Sequence, residues 1–110
     1  ITNAFSLFPN QGVRMTPYQI LRVTDREGNA LEENRPVPTE AIRADTAYVM
    51  TSLLRGVVQQ GTAARAAAMN WPLGGKTGTT DDFTDAWFVG FDPDITIGVW
   101  VGFDTKRPIG

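Results

Sequence analysis

Between Asp45 and Gln60 the apolar residues Ala47, Met50, Leu53, Leu54, Val57 and Val58 recur at intervals of three and four. That spacing predicts a helix with one buried stripe, which Asp45 can cap at its start and Gly61 can close. From Gly74 the period shortens. The runs "GKTGTT", "DAWFVGF" and "ITIGVWVGF" read as strands, with "DPD" at 92–94 as a tight turn between the last two, where the fixed φ of proline is useful. Together they predict an antiparallel three-stranded meander. The near-continuous apolar character of the last two strands predicts a sheet covered by helices on both faces.

The remaining segments give weaker signals. "ITNAFSLFPNQG" sets Ala4, Phe5 and Phe8 on one helical face, with Gly12 as a stop and no capping residue ahead of the helix, which suggests a cut chain. A β-hairpin follows, with Ile20, Leu21 and Val23 on one arm, Ala30 and Leu31 on the other, and Gly28 closing the turn in a left-handed conformation. "RPVPTEAI" is expected to be a linker, because two prolines oppose both helix and sheet ladder. "TAARAAAMNWP" is alanine-rich enough for a short second helix ended by Pro72. Residues 1–110 are thus expected to form an α+β unit: the meander, flanking helices and a separate β-hairpin.

Composition narrows the chemistry. A chain of 110 residues, 42% hydrophobic and 20% charged, fits one modest globular domain, and so short a chain feels a missing neighbour strongly. The ten Lys and Arg are scattered and the net charge is −2, so no basic footprint for nucleic acid exists. With neither cysteine nor histidine, thiol catalysis, histidine triads and the usual zinc ligand sets are excluded, and a catalytic base must be Lys, Asp, Glu or Tyr. No motif asks for a metal or cofactor. No apolar stretch reaches the length of a membrane span, and the first residues lack the order of a signal peptide.

The cluster "GGKTGTTDD" carries the candidate chemistry. "GKT" at Gly75 to Thr77 matches the end of a phosphate loop, but Asn70 stands where its leading glycine belongs. Such a loop must also open a helix, and here a strand with acidic neighbours follows. The alternative is a strand that receives an anionic peptide end. Alternation turns Lys76 and Gly78 one way and Thr77 and Thr79 the other. Gly78 lets another backbone approach, while hydroxyls and an ammonium can recognise a terminal carboxylate on a peptide added as a strand.

These residues carry a resemblance. "KTGTT", followed by "DAWFVGF", a turn and "GVWVGFD", resembles the third active-site motif and following strands of the penicillin-binding transpeptidase domain, specifically the class A bifunctional peptidoglycan synthases. Upstream, "TPYQI" leading into "VTDREGN", and "TAYVMTSLLRGVVQQGTAARA", are similar to the segments that precede the motif in that class, so the resemblance covers essentially the whole chain. It implies a penicillin-binding-protein/serine β-lactamase-like fold and a parent that cross-links peptidoglycan by acyl transfer and binds β-lactams. Lys76 would hold positive potential over the site and join the proton relay. Thr77, Gly78, Thr79 and Thr80 would be the substrate-binding run, with the Thr77 and Thr79 hydroxyls on the carboxylate of a D-Ala-D-Ala stem peptide or of a β-lactam. The Thr79 backbone N–H would form half of the oxyanion hole. The parent would face the periplasm, outside the bacterial inner membrane, from an anchor near its N-terminus.

The family's chemistry also needs S-x-x-K for nucleophile and base, and S-x-N. Ser6 is followed by "LFP" and Ser52 by "LLR", and these are the chain's two serines. The chain is therefore expected to be the C-terminal portion of a transpeptidase domain that cannot acylate alone. A rival from another class is a non-catalytic peptide- or β-lactam-binding module of the same fold. Plainer roles stand beside these. Trp87 and Trp100 are expected in the core, and Trp71 in either core or groove. Asp81, Asp82 and Asp85 suit a solvated turn, Arg55 and Arg65 remain open, and even Lys76 could be an edge lysine that deters aggregation. The last strand, Ile95 to Phe103, is expected to join the remainder of its domain or to self-associate.

Overall fold

The computed structural model describes all residues 1–110. Helix α1 (Thr2–Ser6) leads to strand β1 (Val13–Met15), β2 (Arg22–Thr24), β3 (Ala30–Glu33) and β4 (Pro38–Glu40). Helix α2 (Ala44–Gln60) and a 3₁₀ helix (Ala64–Met69) precede β5 (Gly74–Thr79), β6 (Asp85–Phe91) and β7 (Thr96–Gly102). The last three form the expected antiparallel meander in the order β5-β6-β7. In the separate hairpin β2 pairs β3, and its turn is held by Asp25, whose Oδ1 accepts from the N–H groups of Glu27 and Asn29, while Gly28 sits at φ 85°.

Three local expectations are corrected. The 35–42 stretch is not a linker: Pro38–Glu40 pairs antiparallel with Val13–Met15. A two-stranded ladder has two outer edges, so a proline at the first strand position withholds no obligatory donor. The N-cap of α2 is Arg43, and Asp45 lies in the first turn, where it takes the Thr46 N–H and pairs with the Arg43 guanidinium. The alanine-rich piece is 3₁₀ rather than α-helical and ends at Asn70 in the left-handed region rather than at Pro72. Short helical pieces of this kind commonly take the tighter 3₁₀ form as connectors between longer elements.

The buried apolar residues are Ala47, Leu54 and Val58 of α2, with Ala63, Val89 and Phe91. Helix α2 runs beside β5, and α1 lies against β6 and β7. Gly12 ties these layers: at φ 87° its carbonyl accepts from Ala41 and Ile42, and a Cβ there would overlap the Ile42 carbonyl. Leu53 is 62% exposed, which corrects its place in the stripe. Tyr48 and Val49 are exposed with it, leaving α2 apolar on two sides, the pattern of a helix buried all round.

The sheet is likewise covered on one face, not two. Val89 and Phe91 are buried on the side of the helices, whereas Phe88, Ile97 and Val99 line an open apolar hollow with Met69 and Trp71. Ile97 is 57% exposed and Val101 55%. Trp87 and Trp100, at 39% and 43%, are not core either. The radius of gyration is 17.5 Å, against about 13 Å for a compact chain of similar length. The accessible surface is 8313 Å², against about 6,000 Å² for a compact monomer of this mass. Much apolar surface thus stands open to solvent.

Candidate functional site

Strand β5 is the outer strand of the meander, so one of its edges is unpaired. The Thr80 N–H donates to the Asp85 carbonyl at 3.1 Å, on the β6 side. Antiparallel alternation then turns the N–H groups of Gly78 and Lys76 inward and those of Thr79 and Thr77 to the open edge. The strand therefore offers outward main-chain donors at the two threonines.

The side chains divide as alternation demands. The Lys76 stem lies beside an apolar hollow formed by Phe5, Leu7, Phe8, Met50 and Leu54. Its ammonium donates to the Thr77 carbonyl at 2.7 Å. An apolar floor with the charged head at the rim is the usual compromise for a long cationic side chain. Thr77, on the opposite face, meets Thr62 from the turn after α2, their hydroxyl oxygens 2.7 Å apart. Gly78 has open space: a Cβ would touch only Trp87 Cβ at 3.6 Å. Thr79 is exposed at the end of the strand.

Beyond the strand the turn is rigidly laced. Thr80 Oγ1 accepts from the N–H groups of Thr84 and Asp85 at 3.1 and 3.0 Å. The buried Thr84 hydroxyl lies 2.9 Å from Asp82 Oδ1 and 2.7 Å from Asp85 Oδ2, and its single proton serves one of them at a time. Lys106 pairs with Asp82 at 2.5 Å, and the Trp100 indole donates to Asp85. The Lys106 ammonium and then the Thr84 hydroxyl hold the Asp82 carboxyl well below its ordinary range. At Asp85 the Thr84 hydroxyl and then the Trp100 indole lower the carboxyl from its ordinary value. These carboxylates thus serve local hydrogen bonds and hold the turn that fixes Thr79.

Lys76, Thr77, Gly78 and Thr79 come together on one accessible edge, while the Thr80 hydroxyl faces its own turn. Of the two serines, Ser6 donates to the Asn3 carbonyl at 2.7 Å, and Ser52 is exposed on the side of α2 away from Met50 and Leu54. Trp71 is exposed and donates to Asp92 at 3.0 Å. Sequence reasoning missed Thr62. A glycine that ends a helix flags a turn, but nothing in the local pattern says that the next side chain reaches a residue fifteen positions away.

Comparison with known proteins agrees with this architecture. The family described as "Penicillin binding protein transpeptidase domain" matches residues 1–105. The chain is 46% identical over 110 residues to "Penicillin-binding protein 1A" of Aquifex aeolicus, covering all of this chain and 15% of that protein. The crystal structure of Penicillin-Binding Protein 1A from Haemophilus influenzae superposes with a TM-score of 0.88 at 25% identity, over 99% of this chain and 22% of that one. A D,D-transpeptidase domain of a peptidoglycan glycosyltransferase from Eggerthella lenta matches at 0.74 and 34% identity, over 84% of this chain and 23% of that one. The helices and antiparallel sheets are those of the penicillin-binding-protein fold.

Proposed function

Because the chain belongs to the family of penicillin binding protein transpeptidase domains, we propose that it is the C-terminal portion of such a domain in a class A peptidoglycan synthase. It contributes the strand that binds the donor peptide and stabilises its transition state. One observation carries this reading: β5 presents an unpaired edge on which a cation, two outward N–H groups and two hydroxyls surround a glycine that the chain's own packing does not require.

An extended stem peptide ending in D-Ala-D-Ala adds along this edge as a strand. The Thr77 and Thr79 hydroxyls donate to its terminal carboxylate, and Lys76 raises the local positive potential. Gly78 admits the peptide backbone. Thr80 belongs to the same binding run and fixes, through its turn, where Thr79 stands. A serine from S-x-x-K elsewhere in the domain attacks the penultimate D-Ala carbonyl, and the Thr79 N–H receives the charge that develops on the carbonyl oxygen. Collapse breaks the C–N bond, and terminal D-Ala leaves with the proton relayed through Lys76 and the active-site hydroxyls. The amine of a second stem peptide then takes the acyl group. A β-lactam acylates the same serine with its carboxylate on the same threonines.

The remainder of the domain is the proposed partner that covers β7 and the open apolar face. No helix here is long and apolar enough to cross a membrane; the parent's place outside the bacterial inner membrane rests on the family likeness. The test is covalent capture of a labelled penicillin by the complete protein. Lys76→Ala is expected to slow acylation about a hundred- to a thousandfold, with the adduct mapping to a serine outside residues 1–110. Unchanged acylation in that variant, or an adduct on Ser6 or Ser52, would overturn the assignment. If the complete protein takes up penicillin reversibly with no adduct, the non-catalytic binding module is the correct reading.

A further inference from the structure

We propose that Thr62 is a positioning residue for carboxylate recognition, its hydroxyl donating to Thr77 so that the proton of Thr77 is left free for the ligand. The inference rests on the reading of β5 as the carboxylate-binding strand.

The two hydroxyl oxygens lie 2.7 Å apart, and one proton must occupy the space between them. A threonine hydroxyl has one proton and two lone pairs. If Thr77 gave its proton to Thr62, it would face an incoming carboxylate with lone pairs alone, and a carboxylate has only acceptors. The reverse orientation lets Thr62 donate to Thr77 and Thr77 donate to the carboxylate, a chain in which each bond polarises the next. Binding therefore selects the arrangement in which Thr62 is the donor.

Thr62 is held firmly enough for this task. The N–H groups of Gly61 and Ala63, on either side of it, both donate to the Val57 carbonyl at 3.1 and 3.2 Å. Ala63 is buried, and a Cβ on Gly61 would come within 2.9 Å of the Val57 backbone. The turn thus has little freedom, and its one outward side chain reaches the middle of β5. Helix α2 consequently sets both halves of the site, flooring the Lys76 stem with Met50 and Leu54 and orienting Thr77 through the turn at its end.

The experiment compares second-order acylation rates of the complete transpeptidase by a penicillin and by its methyl ester, which lacks the charged carboxylate. Thr62→Val removes the hydroxyl at constant shape and is expected to slow acylation by the free acid about five- to tenfold. Its effect on the ester should stay within about twofold, and Thr62→Ser should restore the acid rate. Thr62→Ala serves the same comparison if the valine variant does not fold. Equal slowing of acid and ester would make Thr62 a packing residue and overturn the proposal, as would no slowing of either. If the unmodified protein does not distinguish acid from ester, the carboxylate-binding reading of β5 fails and takes this inference with it. A preference for the acid that Thr77→Val abolishes and Thr62→Val leaves intact defeats the role of Thr62 alone.

Discussion

Two glycines of β5, Gly75 and Gly78, stand in opposite surroundings. At Gly75 a Cβ would stand 2.8 Å from the Val89 carbonyl and 3.0 Å from the Phe88 ring, so the neighbouring strand demands the missing side chain. At Gly78, three residues along, a Cβ would meet only Trp87 at an ordinary contact distance. The first glycine is explained by the fold. The second is not, and on the proposed function the open space beside it is taken up by a ligand backbone laid along the open edge. If that proposal holds, packing changes within one six-residue strand from a property of the molecule to a property of its complex.

The widest separation should appear on replacing Gly78 by alanine in the complete protein. Acylation is expected to fall about a hundredfold through the displaced ligand, while the melting temperature stays nearly unchanged. A matching loss of stability would erase the distinction. Gly75→Ala should show the converse, costing about 2 kcal/mol by overpacking and lowering the melting temperature by several degrees. Wild-type stability in that variant would show that β6 yields to the extra methyl.

The same contrast recurs across the sheet. One face is closed by α1 and α2, and the other exposes Ile97, Val99 and Val101 beside the free edge of β7. The isolated 110-residue chain is therefore expected to self-associate through Ile95 to Phe103. Sedimentation as a stable monomer at high concentration would refute this, and Ile97→Lys should shift the distribution toward monomer.

The smallest effect belongs to the turn that ends the strand. The carboxyl of Asp82 is depressed, chiefly by Lys106 and then by Thr84. A depressed carboxyl contributes stability that is complete above its unfolded value, near 4, and is lost as the pH falls through the lower folded value. Lys106, raised by the same contact, would lose its share only as the pH rises above its ordinary lysine range. Carbon-detected titration should show Asp82 moving back toward the usual carboxylate range in Lys106→Ala. An unchanged titration would assign the shift to Thr84 instead.

Local pattern determined much of this protein. The three-and-four spacing of α2, the alternation and turn that define β5 to β7, and the left-handed glycine of the hairpin are short-range consequences of backbone geometry, and they are legible without knowing what lies nearby. The run around Lys76 was likewise legible, because alternation alone assigns its faces. Tertiary structure decided the rest. Leu53 belongs to the period yet lies exposed, because period marks which residues are apolar and not which side finds a neighbour. Pro38–Glu40 pairs with β1 because a two-stranded ladder leaves edges that tolerate proline. Thr62 reaches Thr77 because α2 packs along β5 and ends where its turn meets the strand. Each depends on contacts between residues distant in sequence, whose energies are set by the packed arrangement and leave no mark on the local order of side chains.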